Sequence, residues 1–565
     1  KKKLLLLLNV WVALDRGRSR MDIRNYFDKR KGDTTSTNHR HKRRKVQKSV
    51  VFSLPNRNER DWQRVITILG SRPIMDSQML DSILRDLPPT KRRMNNRGLL
   101  KFINFVMSED ERTRFFTKTL PFMQKLVLDL PKIFDDEKVL PLLRAYSQSS
   151  IDLSRQQCAC LLAASFFCVH RKIWSPKYQN PNFTYLFHRS TDSQVGKFRC
   201  ILHYFSRLSA EEDDEKAQTR IITFHRRVLS RSQCERFEPK NISNIGSDCP
   251  LTAFRVLSKG TIEDEGCGML QADFANEYIG GGVLNTGCVQ EEIRFMINPE
   301  CLVSLLFCEA MRPRESVIII GAERFSNYIG YGRTFRWNGD HRDQTPFDKK
   351  GRFATAIVAI DAIQCDVTPQ FKRKSMVREM AKAFCGFSVD TDVLSQDYDS
   401  IATGNWGCGV FGGDVELKAM LQWCAASLCQ RKIEYFAFDF KRSNNIQLVA
   451  DVLLQKKLTV KDLWADIAHH ADVGLFAYLM GKHAPLDANQ LTLISYSMNY
   501  SDEDEGDDSI AEDSASGNDA SNSESEESAQ PDNSGNSETG FNKPQEVGID
   551  DTNPDVDPVQ SKEDC

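Results

Sequence analysis

The sequence predicts an α/β domain, a mixed or parallel sheet covered by helices, preceded by a helical segment and flanked by two charged, disordered tails. Three observations carry this reading. Between about residues 246 and 450, short β-branched or aromatic runs at 316–321, 353–360 and 435–440 alternate with helical runs at 288–311, 369–386 and 413–430, which is the pattern of strands buried under helices. Between 49 and 245, apolar residues recur at helical spacing, as in 126–134, 139–146 and 156–169, punctuated by Pro88, Pro89, Pro131 and Pro141. Charge is concentrated at the ends: residues 1–48 carry 16 Lys/Arg against 4 Asp/Glu, and residues 501–565 carry 2 against 21, in a chain of net charge −1.

Residues 1–48 form the basic disordered N-terminal segment. Lys1, Lys2 and Lys3 precede an apolar run from 4 to 14 that resembles a signal-peptide core, yet the strongly charged stretch 15–20 offers no small-residue cleavage site. We read Met21 as the start of translation, with 1–20 outside the mature protein. Ile23, Tyr26 and Phe27 resemble the peptide that plugs the apolar pocket of a sliding clamp, with Arg20 where that motif usually has glutamine. Basic clusters at 29–31 and 40–45 have the bipartite spacing read by a nuclear import receptor, which places the protein in the nucleus, with the cytoplasm as second compartment. A basic arm touching nucleic acid is the competing reading.

Residues 49–245 read as a helical accessory domain without chemistry of their own, Phe183, Phe187, Phe198, Tyr204 and Phe205 being core. The 16 cysteines are irregularly spaced with no Cys-x-x-Cys pair, so they read as small buried hydrophobes of a reducing compartment. Nothing in the sequence calls for a metal or a cofactor, and no apolar run is long enough to span a membrane.

Chemistry gathers in the segment 269–300, MLQADFANEYIGGGVLNTGCVQEEIRFMINPE. Residues 269–275 read as a strand that the glycines break, and 290–311 as a buried helix, with Asn298 and Pro299 as a point of interruption. Three glycines, Gly280, Gly281 and Gly282, have no Cβ to keep a diphosphate from their N–H groups. Seven residues later come Gln290, Glu291 and Glu292. Two glutamates at a helix start face a partial positive charge that favours their ionised forms, so a general acid here needs burial or a neighbouring carboxylate, for which Asp273 is the nearest candidate. A solvated pair at a helix N-terminus is the plain alternative. Adjacent side chains diverge, so one glutamate is expected to do chemistry and the other to hold substrate.

The glycine triplet, its spacer and Gln-Glu-Glu resemble the poly(ADP-ribose) glycohydrolase family. The resemblance extends over roughly residues 70–470 and includes GTIEDEGCGMLQADFAN at 260–276 and ATGNWGCGVFGGD at 402–414. It implies a macrodomain-like three-layer α/β/α sandwich at 246–495 behind the helical accessory domain. It also implies hydrolysis of ribose–ribose O-glycosidic bonds of poly(ADP-ribose), free or attached to modified proteins, to release ADP-ribose. Glu292 would be the general acid/base, with Glu291 and Asp273 placing the ribose. By the same resemblance Ile262 and Glu263 would touch the adenine edge, Tyr331 would stack on adenine, Asn276 and Gln290 would meet ribose and phosphate, and Phe438 would line the pocket.

The second glycine-rich loop, with Asn405, Trp406, Gly407, Cys408, Gly409, Val410 and Phe411, lies directly before a helical run, a setting in which phosphate binds. For Tyr331 and Phe438 the plain reading is an aromatic on a strand, and for each glycine an ordinary turn. An inactive ADP-ribose-binding macrodomain reader is the alternative function, and the presence of both glutamates argues against it. A P-loop nucleotidase is a third, weaker reading, because no glycine loop is followed by Gly-Lys-Ser/Thr. Helices at 460–470 and 473–480 close the domain, and residues 496–565, rich in Asp, Glu, Ser and Asn, form an acidic disordered tail with too few apolar residues to offset ordering entropy.

Overall fold

The computed structural model describes residues 52–484 except 55–58, 89–93, 136, 138, 172–174, 239–240, 242–248, 439–444, 471 and 473. The clamp-like peptide, both basic clusters and the acidic tail lie outside the described residues. Eight strands make one sheet: β1 (Ser149–Ser154), β2 (Ile221–Val228), β3 (Phe254–Leu257), β4 (Leu270–Ala275), β5 (Glu315–Ile320), β6 (Ala356–Asp361), β7 (Ser400–Gly404) and β8 (Lys432–Phe436). Their spatial order is β1-β2-β5-β6-β4-β7-β8-β3. From β6 to β3 the neighbours are parallel, and β1, β2 and β5 extend the sheet antiparallel.

The central strands are buried on both faces and accordingly read as continuous apolar runs, AIVAID in β6 and SVIII in β5. Their side chains divide by parity between two cores. Val317, Ile319, Ile357 and Ala359 join the core shared with the N-terminal helices, whereas Ile318, Ile320, Ala356, Val358 and Ile360 join the core on the opposite face. This alternation makes the molecule a three-layer sandwich. On the first face lie α1 (Arg155–Phe166), α2 (Asp192–Ala210) and α3 (Gln290–Ile297); on the second lie α4 (Arg373–Phe387) and α5 (Val415–Leu428), packed side by side. α3 stops at Asn298, and Pro299 begins a separate 3₁₀ turn, so the interruption read there is real.

The secondary structure differs from the sequence reading in two places. A boundary at 245/246 assigns residues 149–154 and 221–228 to the helical segment, yet they are β1 and β2 of the sheet, and the helical and α/β parts belong to one compact unit. β2 hides because it reads IITFHRRV, a strand with three polar residues in a row. In the structure all three are buried and partnered: His225 Nδ1 lies 2.7 Å from Ser150 Oγ, Arg226 donates to Glu315 at 2.5 Å and Arg227 to Asp390 at 2.8 Å. The helical spacing at 139–146 is also not realised. Val139–Leu140 pairs as a strand with Phe52–Ser53, and Pro141 favours an extended residue before it.

Arg226 and Glu315 are both completely buried. Removing one partner of such a pair leaves the other charged in a dry interior, so Arg226→Ala is expected to destabilise the fold by about 3–5 kcal/mol. Urea unfolding checks this, and a loss below ~1 kcal/mol would contradict the account of β2.

Candidate active site

β4 ends at Ala275, and the chain passes through Asn276 and the glycine turn before α3 opens at Gln290. Asp273 faces α3 from β4 and is fully buried; Glu291 and Glu292, in the first turn of α3, are 3% and 6% exposed. They are not a solvated pair. Each carboxylate is held by backbone N–H groups. Glu291 accepts from Asn276 at 2.9 Å and Gly280 at 2.6 Å, while Glu292 accepts from Gly282 at 2.8 Å and from Val289 at 2.9 Å. The last bond is the half of a capping box in which the third helical residue reaches back to the cap amide.

The turn threads between the two carboxylates. Gly281 has φ of 49°, and a Cβ on it would lie 2.5 Å from one Glu292 oxygen and 2.6 Å from a Glu291 oxygen. A side chain there would have to push the carboxylate ends aside, and the left-handed backbone itself favours glycine. The long glutamate arms thus converge on one loop although their Cβ atoms diverge. This revises the role expected for the triplet. Gly281 N–H donates to Tyr278 O at 3.0 Å, so all three glycine amides are engaged inside the protein and the diphosphate cradle read from the sequence is not formed by them here. The physical reason is that buried carboxylates require donors more than an open turn does.

Three acidic side chains share this interior with one guanidinium. Burial, together with the Glu292 carboxylate and against the pull of Arg294, pushes the Asp273 carboxyl up to about 8. Glu291 is driven well above the usual carboxylate range by burial and then by Asp273 and Glu292, against the hydrogen bonds from Asn276 and Gly280. Arg294 donates to Gln271 Oε1 at 2.6 Å. Among the described residues, neither oxygen of Asp273 has a hydrogen-bond partner.

The carbonyl side of the same loop is held by the helical segment. Lys197 of α2, completely buried, donates to the carbonyls of Val283 at 2.9 Å, Asn285 at 2.8 Å and Gly287 at 2.5 Å. Gln194 donates to Asn285 O, and Gln179 to Tyr278 O and Ile279 O. None of these residues was singled out from the sequence. The available signal was Lys197 itself, a charge on the buried stripe with Ile201, Tyr204 and Leu208.

Beyond the carboxylates lies an open aromatic pair. Tyr331 follows the strand Ser326–Ile329, its hydroxyl accepts from the Gln290 N–H at 3.1 Å, and its ring centroid is 5.3 Å from that of Phe438. Tyr331 is 40% and Phe438 53% exposed, and both stand just beyond the ends of strands, at Ile329 and Phe436. Phe438 stands just past the end of β8 with φ of 52°. Glu263 accepts from the Tyr328 hydroxyl, while Ile262 is packed with Ala402 and Phe436. Gln290 bonds Phe274 N and Ala272 O, and Asn276 Oδ1 accepts from Tyr278 N, so both side chains brace the end of β4.

The second glycine loop follows β7 and lies at the same carboxyl edge, where parallel sheets bind ligands. Asn405 is fixed by Tyr435 Oη at 2.8 Å and by Ala437 O at 2.9 Å. Trp406 departs from the expected substrate contact: it is fully buried, donates to Ile360 O at 2.9 Å and lies 4.5 Å from the Lys418 ammonium, so its ring supports the loop from below. Gly407 turns the chain with φ of 74°, and half-buried Cys408 donates to Trp406 O. The N–H groups of Gly409, Val410 and Phe411 have no acceptor among the described residues, and the Val410 side chain is 84% exposed.

Residues 241–445 match the family model described as the macro domain fold of poly(ADP-ribose) glycohydrolase, and residues 107–226 match the model of its helical domain. The chain is 32% identical over 443 residues to the probable poly(ADP-ribose) glycohydrolase 2 of Arabidopsis thaliana, covering 67% of this chain and 84% of that protein. It is 33% identical over 466 residues to poly(ADP-ribose) glycohydrolase 1 of the same plant, covering 66% and 83%. A glycohydrolase structure from Deinococcus radiodurans in complex with ADP-ribose aligns at 17% identity with a TM-score of 0.24, over 41% of this chain and 94% of that one. With relatives at this identity spanned over most of their length and both domain models met in order, the chain belongs to the poly(ADP-ribose) glycohydrolase family.

Proposed function

We propose that this chain hydrolyses the ribose–ribose bonds of poly(ADP-ribose) to release ADP-ribose, with Glu292 as the general acid/base. The observation that carries the reading is the buried glutamate pair pinned by a glycine turn beside an open aromatic pair. Glu292 gives its proton to the departing ribose oxygen as an oxocarbenium-like centre develops, then takes one from the attacking water. Glu291, fixed by Asn276 and Gly280, holds the ribose. Asp273 keeps a proton among three acidic groups, which limits the negative charge stored there before substrate arrives.

The rings of Tyr331 and Phe438 receive the adenine, and the open amides of Gly409, Val410 and Phe411 face the diphosphate. Gly280, Gly281 and Gly282 act on the carboxylates, and through them on the reaction. The protein-side partners are the polymer and proteins carrying it. The basic clusters at 29–31 and 40–45 take the protein to the nucleus by way of an import receptor, and Ile23, Tyr26 and Phe27 are offered to a sliding clamp.

Glu292→Gln is expected to lower polymer turnover by roughly 10²–10⁴-fold while binding ADP-ribose as the parent does; a folded variant with parental turnover would refute the assignment. Asp273 carries a pH signature. Its folded value, about 8, is raised from 3.8, so the unfolded chain releases this proton first, and the stability the group contributes is lost as pH rises from about 4 to about 8. Asp273→Asn removes that loss. Its melting temperature is therefore expected to gain on the parent by several degrees between pH 5 and pH 8 while turnover falls, and a constant difference across that range would contradict the buried-proton account. A reporter fused to residues 21–48 should accumulate in the nucleus, and cytoplasmic retention would overturn the import reading.

A further inference from the structure

We infer that Lys197, a residue of the helical segment, is a positioning residue for the hydrolysis, holding the loop between the glycine triplet and α3 so that its amides fix Glu292. The inference rests on Glu292 as the acid/base.

The geometry runs from one residue to the next. An ammonium has three donors and no acceptor, and here each donor meets a different carbonyl of the loop, those of Val283, Asn285 and Gly287. The two outer carbonyls lie next to the amides that hold Glu292. Gly282, which donates to Glu292 at 2.8 Å, immediately precedes Val283, and Val289, which donates at 2.9 Å, follows Gly287 by two residues. The loop also abuts the carboxylate directly, since a Cβ on Gly287 would lie 2.7 Å from Glu292 Oε1. Displacement of the loop therefore displaces the reacting carboxylate.

A purely structural role does not explain the choice of lysine. The neighbouring carbonyls of Tyr278 and Ile279 are held by the neutral amide of Gln179, and burying a charge costs several kcal/mol more than burying an amide. Among the described residues Lys197 has no carboxylate within ion-pair distance. Burial lowers its ammonium to about 8, against the nearby Cys288 and Glu292, so the cation is retained at neutral pH with its field directed at the loop and at Glu292. One side chain that gathers three carbonyls fixes the loop in one arrangement, as placing a reacting group requires.

The test compares Lys197→Met, Lys197→Gln and Glu292→Gln in the full-length chain, with turnover of labelled polymer, ADP-ribose affinity by calorimetry, and amide exchange at Gly282 and Val289. Lys197→Met is expected to lower kcat by about 10–100-fold, to leave the ADP-ribose Kd within about twofold, and to speed exchange of both amides. Lys197→Gln, which keeps a donor, should fall between it and the parent, and carries the test if the methionine variant does not fold. A kcat within twofold of the parent in a folded variant, or a Kd weakened by the same factor as kcat, would overturn the inference. Parental turnover in Glu292→Gln would instead refute the reading on which it rests.

Discussion

Three carboxyl groups at the end of one strand and the start of one helix, with the Arg294 guanidinium beside them, are the constraint around which this region is built. Asp273, Glu291 and Glu292 are all less than a tenth exposed, as is Arg294, and burial of charge is tolerated only where donors are supplied. The chain supplies them to the two glutamates from its own backbone, while burial keeps the proton on Asp273. Amides of Asn276, Gly280, Gly282 and Val289 close on the two glutamates, and this requires a turn tight enough to pass between them. Glycine at 280 and 281, with φ of 88° and 49°, is the consequence. The carboxylates thus shape the loop, and the loop orients the carboxylates.

The same constraint explains why a helical segment accompanies the sheet. A loop whose amides are turned inward exposes its carbonyls on the other side, and α2 meets them with Lys197 and Gln194. Further along, α2 also sets the hairpin that carries Tyr331, in which the strand Arg336–Asp340 pairs with Ser326–Ile329. His203 Nε2 is 2.8 Å from Asp340, and Arg207 bonds the His341 carbonyl at 2.8 Å. A Cβ on Gly196 would meet the Phe335 ring at 2.8 Å. One helix therefore fixes both the group proposed to protonate the substrate and the ring proposed to receive its adenine.

Much of this was legible in the sequence, and the remainder was hidden for physical reasons. Continuous apolar strands such as β5 and β6 announce themselves because both faces are buried, whereas β2 hides because its buried charges are paired across the fold. The carboxylates and glycines are recognisable by type and spacing, but spacing does not show which way an amide points, and here those of Gly280 and Gly282 meet Glu291 and Glu292. Trp406 is ambiguous for a similar reason: a large aromatic in a glycine loop is equally suited to a ligand and to the core beneath the loop, where its ring lies. Lys197 lies 95 residues before Glu292 in the chain, a separation no local pattern bridges.

Gly281→Ala tests the central claim most directly, because the added methyl reaches the two carboxylate oxygens and no backbone atom within the distance that forces a shift. The account predicts a folded protein that binds ADP-ribose within a few-fold of the parent yet has lost polymer turnover by ~10²-fold or more, through displacement of the reacting group. Turnover and affinity falling together would return the glycine triplet to diphosphate binding and contradict the account, as would parental turnover.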